Sequence, residues 1–201
     1  YAVGDQRNVS VLLMEESSIH TLTRIAEFDL GVGVSAYGFY ISGDYAYVSC
    51  FNNGLKIYDI TDPFPTQYSS VYIGGYFFID CIARGNIVFT ATTTKGMVIL
   101  NFSNPSNPKV VGSCYNSYGY GKAIAWPLAY YLNNQTNGNY VYYADDNDGI
   151  EIINIEDLAD PFTVYHYNDE GFIKKVIHES VDMGGDVYHY FAYLSDTKKG
   201  L

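Results

Sequence analysis

The run Asp145-Asp146-Asn147-Asp148-Gly149 is the densest group of potential ligands in the chain. Acidic and amide side chains packed before a glycine turn are how a hard cation such as calcium collects oxygen donors. Placed on Gly149, the helix–loop–helix calcium pattern requires an acid where Ala144 stands and a bidentate glutamate where Ile155 stands. The run therefore reads first as an acidic turn. Asp145, Asp146 and Asp148 are kept as a candidate cation loop second to that reading.

Other chemistry is sparse. His20, His166, His178 and His189 show neither H-x-x-x-H nor H-x-H spacing, so no paired-histidine metal site is legible. Cys50, Cys81 and Cys114 form no C-x-x-C, which argues against zinc-ribbon and thioredoxin chemistry. One disulfide plus a thiol, or three buried thiols, both remain open. No G-x-S-x-G elbow presents a serine nucleophile. Gly31-Val32-Gly33 and Gly119-Tyr120-Gly121 do not sit between a strand and a helix, as a dinucleotide loop must. Glu15-Glu16 and Glu156-Asp157 fall at strand ends, where carboxylates are solvated. No catalytic residue, cofactor or metal is assigned on these grounds.

Three Asn-x-Ser/Thr triplets begin at Asn8, Asn101 and Asn134. Asn134 is the best glycan acceptor of the three, because it lies in an inserted polar loop where a sugar displaces no packing. Asn101 ends a strand, where its side chain is expected to bond the following turn backbone. The triplets, with a composition rich in Tyr, Asn, Gly and Thr, point to a secreted or cell-surface protein.

The charge excludes some partners. Among 201 residues, 11 Lys and Arg face 22 Asp and Glu, a formal net charge of −11. Such a field repels phosphate backbones and anionic membrane surfaces. No apolar run reaches the ~18 residues of a membrane helix. The 22 tyrosines and 17% aromatic content suit strands, where flat rings pack on a pleated surface.

The elements that must hold these residues repeat. GDYAYVSCFNNGLKIYD runs from Gly43 to Asp59, GNIVFTATTTKGMVILN from Gly85 to Asn101, and GNYVYYADDNDGIEIIN from Gly138 to Asn154. A further copy starts at His189. The turn glycines Gly54, Gly96, Gly149 and Gly200 are spaced by 42, 53 and 51 residues. Such a period, with insertions, marks units of about four short strands. Repeats are expected at about 1–42, 43–84, 85–137 and 138–188, with a partial unit at 189–201. Within the 43–84 repeat, strands are expected over Tyr45–Cys50, Leu55–Ile60, Tyr68–Ile73 and Phe77–Ala83. The first unit is degenerate, with Val11–Glu15 aligning on Leu55–Asp59. Leu55, Ile57, Met97, Ile99, Ile150 and Ile152 should face the core, with Lys56, Val98 and Glu151 on the opposite face and Lys56 and Glu151 only partly exposed.

Gly54-Leu55-Lys56-Ile57-Tyr58-Asp59, Gly96-Met97-Val98-Ile99-Leu100-Asn101 and Gly149-Ile150-Glu151-Ile152-Ile153-Asn154 resemble the core of the LVIVD-repeat family. Its trailing D-P-x-x-P element is similar to Asn104-Pro105-Ser106-Asn107-Pro108 and, less completely, to Asp62-Pro63-Phe64-Pro65. Asn replaces Asp in two of the cores, and Leu158 replaces the first proline in the fourth unit. The resemblance implies an all-β fold, a β-propeller of four-stranded blades, usually extracellular, with no common activity. About four repeats are present, so the chain is expected to be part of a larger propeller. It opens at Tyr1 inside one repeat and stops inside another, which agrees with that expectation.

The function expected from these features is non-enzymatic. It is an extracellular or cell-surface module, structural or adhesive, binding protein or glycan partners, with self-assembly into a filament or coat as one form. The rival is a hydrolase with its site in the central funnel. It would bring unmatched acids, bases or nucleophiles together in one cavity.

Overall fold

The computed structural model describes residues 2–4, 8–14, 22–61, 70–72, 74–115, 120–126, 139–146, 148–168, 173–182 and 188–196. All their regular structure is β, as the alternating, aromatic-rich repeat implies.

Strands β1 (Ala2–Gly4), β2 (Asn8–Met14) and β3 (Leu22–Asp29) form a three-stranded sheet in that order. Strands β4 (Gly38–Ser42), β5 (Tyr45–Ser49), β6 (Leu55–Asp59) and β7 (Ser70–Tyr72) form the next, again in chain order. The third sheet holds β8 (Phe78–Arg84), β9 (Ile87–Thr92), β10 (Gly96–Asn101) and β11 (Lys109–Cys114). The fourth holds β12 (Gly121–Ala125), β13 (Tyr140–Asp145), β14 (Gly149–Asn154) and β15 (Phe162–Tyr167). Strands β16 (Ile173–Asp182) and β17 (Tyr188–Asp196) pair as a hairpin, with His178 opposite Ala192 and His189 opposite Val181. Each three- or four-stranded sheet is a meander, the connectivity of a propeller blade.

The sheets begin one strand earlier than the repeats. β8 ends the 43–84 repeat in sequence, yet it pairs with β9 of the following one. The chain reaches it through Gly74 and Gly75, which carry φ of +30° and +75°. The repeat signal is strongest in the hairpin and is silent about which neighbour its outer strand joins.

The hairpin glycines are equivalent, as the period requires. Gly54, Gly96 and Gly149 have φ of +90°, +66° and +94°, a region in which a Cβ is strained. They close the β5–β6, β9–β10 and β13–β14 hairpins.

The chain forms two compact units, Tyr1–Val88 with Asn101–Pro108, and Phe89–Leu100 with Lys109–Leu201. In the first, Phe28, Leu30, Val34, Ala46, Val48, Cys50 and Tyr58 make a buried cluster. Phe28 stacks on Tyr58 with ring centroids 5.0 Å apart. In the second, Ala123, Ala144, Ile150, Ile173 and Val176 cluster, and Phe89 meets Trp126 edge to face at 5.1 Å.

The alternation expected along the second strand of each hairpin is replaced by burial of both parities. Leu55 to Tyr58 and Met97 to Leu100 are buried throughout. Lys56 and Glu151, expected to be partly exposed, are 7% and 3% exposed, while Ile152 is half-buried. Both Lys56 and Glu151 have a polar partner, as burial of a charge demands. Lys56 Nζ donates to the Leu30 carbonyl at 2.5 Å, and Glu151 Oε2 accepts from Thr163 Oγ1 at 2.6 Å. Both faces of an inner strand are covered, so a strict in–out pattern is not needed.

Candidate functional site

The β5–β6 hairpin of the first unit gathers chemistry at both its ends. At the turn, the chain runs Cys50-Phe51-Asn52-Asn53-Gly54, and Phe51 has φ +52°. It is the only non-glycine residue with positive φ among the described residues. A bulky side chain in that region is strained and is retained only where its surroundings over-determine it. Here a backbone bridge to Phe78 does so, with N–H to carbonyl distances of 3.0 and 3.2 Å. The Phe51 ring is packed between Tyr37 and Phe77, with centroids 5.3 and 4.8 Å away and planes within 27° and 23°. Tyr37 is 57% exposed and Phe77 37%. A column of three stacked rings therefore reaches solvent beside the exposed Asn52–Asn53 amide pair.

At the open end of the hairpin, cross-strand pairing sets four side chains on one face. Tyr45 lies opposite Asp59, and Tyr47 opposite Ile57. These residues floor a cavity of about 290 Å³, walled by Asn86, Phe102, Ser103 and Pro105. Tyr47 Oη of the floor donates to the Gly85 carbonyl, next to Asn86 of the wall, at 3.0 Å, and within the wall Phe102 N donates to the Asn86 carbonyl at 2.8 Å. Burial, helped by neighbouring Tyr45, raises the Tyr47 phenol to about 12, so it stays a donor. Asp59 Oδ1 accepts from Thr61 Oγ1 at 2.5 Å and Thr61 N at 2.9 Å. Those bonds, the hydroxyl first, hold its carboxyl below the usual value.

The same turn bond recurs where the repeat carries Asn. Asn101 Oδ1 accepts from Ser103 N at 2.7 Å, and Asn154 Oδ1 from Glu156 N at 2.8 Å. This is the backbone-bonding role expected of Asn101 from its place at a strand end. Glu156 and Asp157 are exposed.

The acidic run resolves into separate contacts. Asp145 is fully buried at the end of β13, and Asp146 ion-pairs with Lys122 at 3.5 Å. Asp148 Oδ1 accepts from Asn168 Nδ2 at 3.1 Å, and Asp148 Oδ2 lies 3.4 Å from His166 Nε2. Among the described residues, no three His, Cys, Asp or Glu side chains converge as a metal site. The Asp148–His166 pair is a carboxylate beside an imidazole, but it is partly exposed and none of its residues lines the cavity. Its further contacts are the Asp148 carbonyl and the Asn168 amide, so it ties the outer strand β15 to the hairpin turn.

The thiols are held neutral. Burial raises Cys50 to about 11 despite nearby Lys56, and raises Cys81 further, with Asp80 adding to the effect. Cys114 is also raised by burial, and its Sγ lies 3.7 Å from Thr163 Oγ1. All three cysteines are unpaired thiols, and a protonated thiol is a poor nucleophile. Of the remaining sequence candidates, Asn8 opens β2 opposite Asp29. Asn134, His20 and Glu15-Glu16 lie outside the described residues.

Sequence reasoning passed over the stacked rings and the cavity. A signal existed for each. Phe51 stands where the sister repeats have Thr93 and Asp146, and Asp59 where they have Asn101 and Asn154.

Blades of four strands, glycine-closed hairpins and Asx-turn ends together define a β-propeller repeat protein. The LVIVD repeat family matches residues 35–69, 80–116 and 135–169, a little over half of the chain, and the chain belongs to that family. No curated protein matches it in sequence. Among solved structures it is similar to the Cps50 (Swd1) β-propeller domain of Myceliophteria thermophila, with a TM-score of 0.63 and 12% identity. That match covers 88% of this chain and 54% of that one, so the chain spans about half its length. It is also similar to the computationally designed Ika4 protein, with a TM-score of 0.56, 10% identity, and coverage of 82% and 94%. At these identities the likeness concerns the fold alone.

Proposed function

We propose that this β-propeller repeat protein is a non-enzymatic recognition module outside the cell, secreted or on its surface, that binds protein or glycan partners. The observation that carries the reading is the Tyr37–Phe51–Phe77 column. Rings presented to solvent on a rigid turn offer large contact area at little entropic cost, which is why aromatic side chains are favoured at interfaces. A left-handed Phe costs about 1–2 kcal/mol, and strain of that kind concentrates at functional sites. The sister turns at Thr93 and Asp146 lack this strain, so the fold does not require it. The sequons and the acidic surface support an extracellular setting. Self-assembly into a filament or coat is one form such recognition takes.

The test is a glycan array and a panel of purified extracellular proteins, probed with the native protein and with Tyr37→Ser/Phe77→Ser. Binding by the native protein that the double variant loses supports the reading. Binding of nothing, or turnover of glycoside or ester substrates, overturns it. Glycopeptide analysis checks the setting: sugar on Asn134 supports passage through a glycosylating pathway, and a bare Asn134 removes that support.

A further inference from the structure

The cavity at the open end of the β5–β6 hairpin lies away from the aromatic column and has its own chemistry. Its floor carries one carboxylate, Asp59, opposite Tyr45 and on the same face as Tyr47, and its wall adds Asn86, Phe102 and Ser103. Among the described residues, no basic side chain lines it. Aromatic faces and a carboxylate both attract a cation, the first through the ring quadrupole and the second directly. A volume of about 290 Å³ accommodates the end of one long side chain.

We propose that this cavity receives a guanidinium or ammonium group from a basic segment of a partner protein. Charge complementarity selects the source. The chain carries −11 with only 11 Lys and Arg, so a basic partner is drawn to this cavity more strongly than a second acidic copy is. Specificity resides in positions where this repeat departs from its neighbour. Tyr45, Tyr47 and Asp59 stand where the next repeat has Ile87, Phe89 and Asn101. The scaffold is shared, and the phenols and the charge are added to it. This site goes beyond the aromatic surface and can fail without it.

The repeats also supply the variants. Asp59→Asn installs the residue that already caps the same turn at Asn101 and Asn154, so the turn bond is kept and only the charge is removed. Tyr45→Ile and Tyr47→Phe copy the next repeat in the same way. A tri-arginine peptide is titrated into the native protein by calorimetry and by NMR, with a tri-glutamate peptide and glucose as controls. Saturable binding of tri-arginine alone is expected. It should weaken about tenfold in Asp59→Asn, the scale of one charge-assisted hydrogen bond, and less in Tyr45→Ile. It should also weaken with added salt. The Tyr37→Ser/Phe77→Ser variant should bind the peptide as the native protein does, which separates this site from the aromatic one. Unchanged affinity in Asp59→Asn, equal binding of glucose, or no saturable binding overturns the proposal. So does a native dimer, seen by light scattering, that Asp59→Asn dissociates, because the occupant would then be a second copy. Should Asp59→Asn fail to fold, unchanged tri-arginine affinity in both Tyr45→Ile and Tyr47→Phe overturns the proposal and a loss in either supports it.

Discussion

The turn of the β5–β6 hairpin and the turn of the β13–β14 hairpin occupy the same place in the repeat and end in opposite chemistry. One runs Phe51-Asn52-Asn53-Gly54 and stacks aromatic rings; the other runs Asp146-Asn147-Asp148-Gly149 and ties acids to Lys122, His166 and Asn168. The glycine is common because each turn needs a left-handed residue there. The residues before it are not constrained by the hairpin, so they are where one repeat differs from another. Shared positions report folding, and unshared ones report what each blade end is for.

The largest test of that division lies at the glycines. A Cβ on Gly149 would run into the Tyr167 carbonyl as well as forcing a side chain to φ +94°. Gly149→Ala should cost about 3 kcal/mol or more, strain and overpacking together. Gly43→Ala, in the turn between β4 and β5 where φ is +58° and nothing lies within 4 Å of an added Cβ, should cost about 1–2 kcal/mol, from conformation alone. Urea titrations of the two variants measure the gap, and equal losses would break the comparison.

Next in size are the equivalent isoleucines. Ile57 is 4% exposed, whereas Ile152 is half-buried. Ile57→Ala should lose ~2–4 kcal/mol and Ile152→Ala less, because less apolar contact is removed. A reversed order in the same titrations would misplace the core of one hairpin.

Phe51→Gly sharpens the contrast between the turns. Relief of a left-handed Phe, about 1–2 kcal/mol, opposes loss of two stacked pairs worth about 0.5–1.5 kcal/mol each and of the apolar area they bury. Stability should therefore fall by about 2 kcal/mol or less. A much larger loss would make Phe51 a core residue and remove the argument for a recognition surface.

A smaller effect separates Asp59 from its Asn counterparts. Its carboxyl titrates below the usual value because Thr61 bonds the ionised form. The folded value is depressed, so the stability it contributes is present above the unfolded value of about 3.9 and is lost as pH falls through the folded one. The stability difference between the native protein and Asp59→Asn should shrink across that acid window and be flat near neutrality. A difference that grows with acid would contradict the turn bond. The smallest readout is thiol reactivity at pH 8. Half-buried Cys114 should alkylate before Cys50 and Cys81, and those two only on unfolding.

Much of the fold was legible because it is local and repeated. Gly54, Gly96 and Gly149 announce their hairpins through a backbone need that no other residue type meets as easily, and Asp59, Asn101 and Asn154 announce their turns through a side-chain bond two residues long. The fate of β8 was not legible, because strand pairing is chosen among neighbours and leaves no mark on the strand itself. Nor was the burial of Lys56 and Glu151, whose partners, the Leu30 carbonyl and Thr163, lie 26 and 12 residues away.

By itself the sequence determined the all-β class, the repeat and its family, and the turns that close each hairpin, since these follow from spacing and from backbone conformations readable one residue at a time. The tertiary structure alone decided that Tyr37, Phe51 and Phe77 stack, and that Tyr45, Tyr47 and Asp59 meet Asn86 and Ser103 around one cavity. Those groups lie on different strands and turns, and only the pairing of strands and the packing of loops brings them within reach of each other.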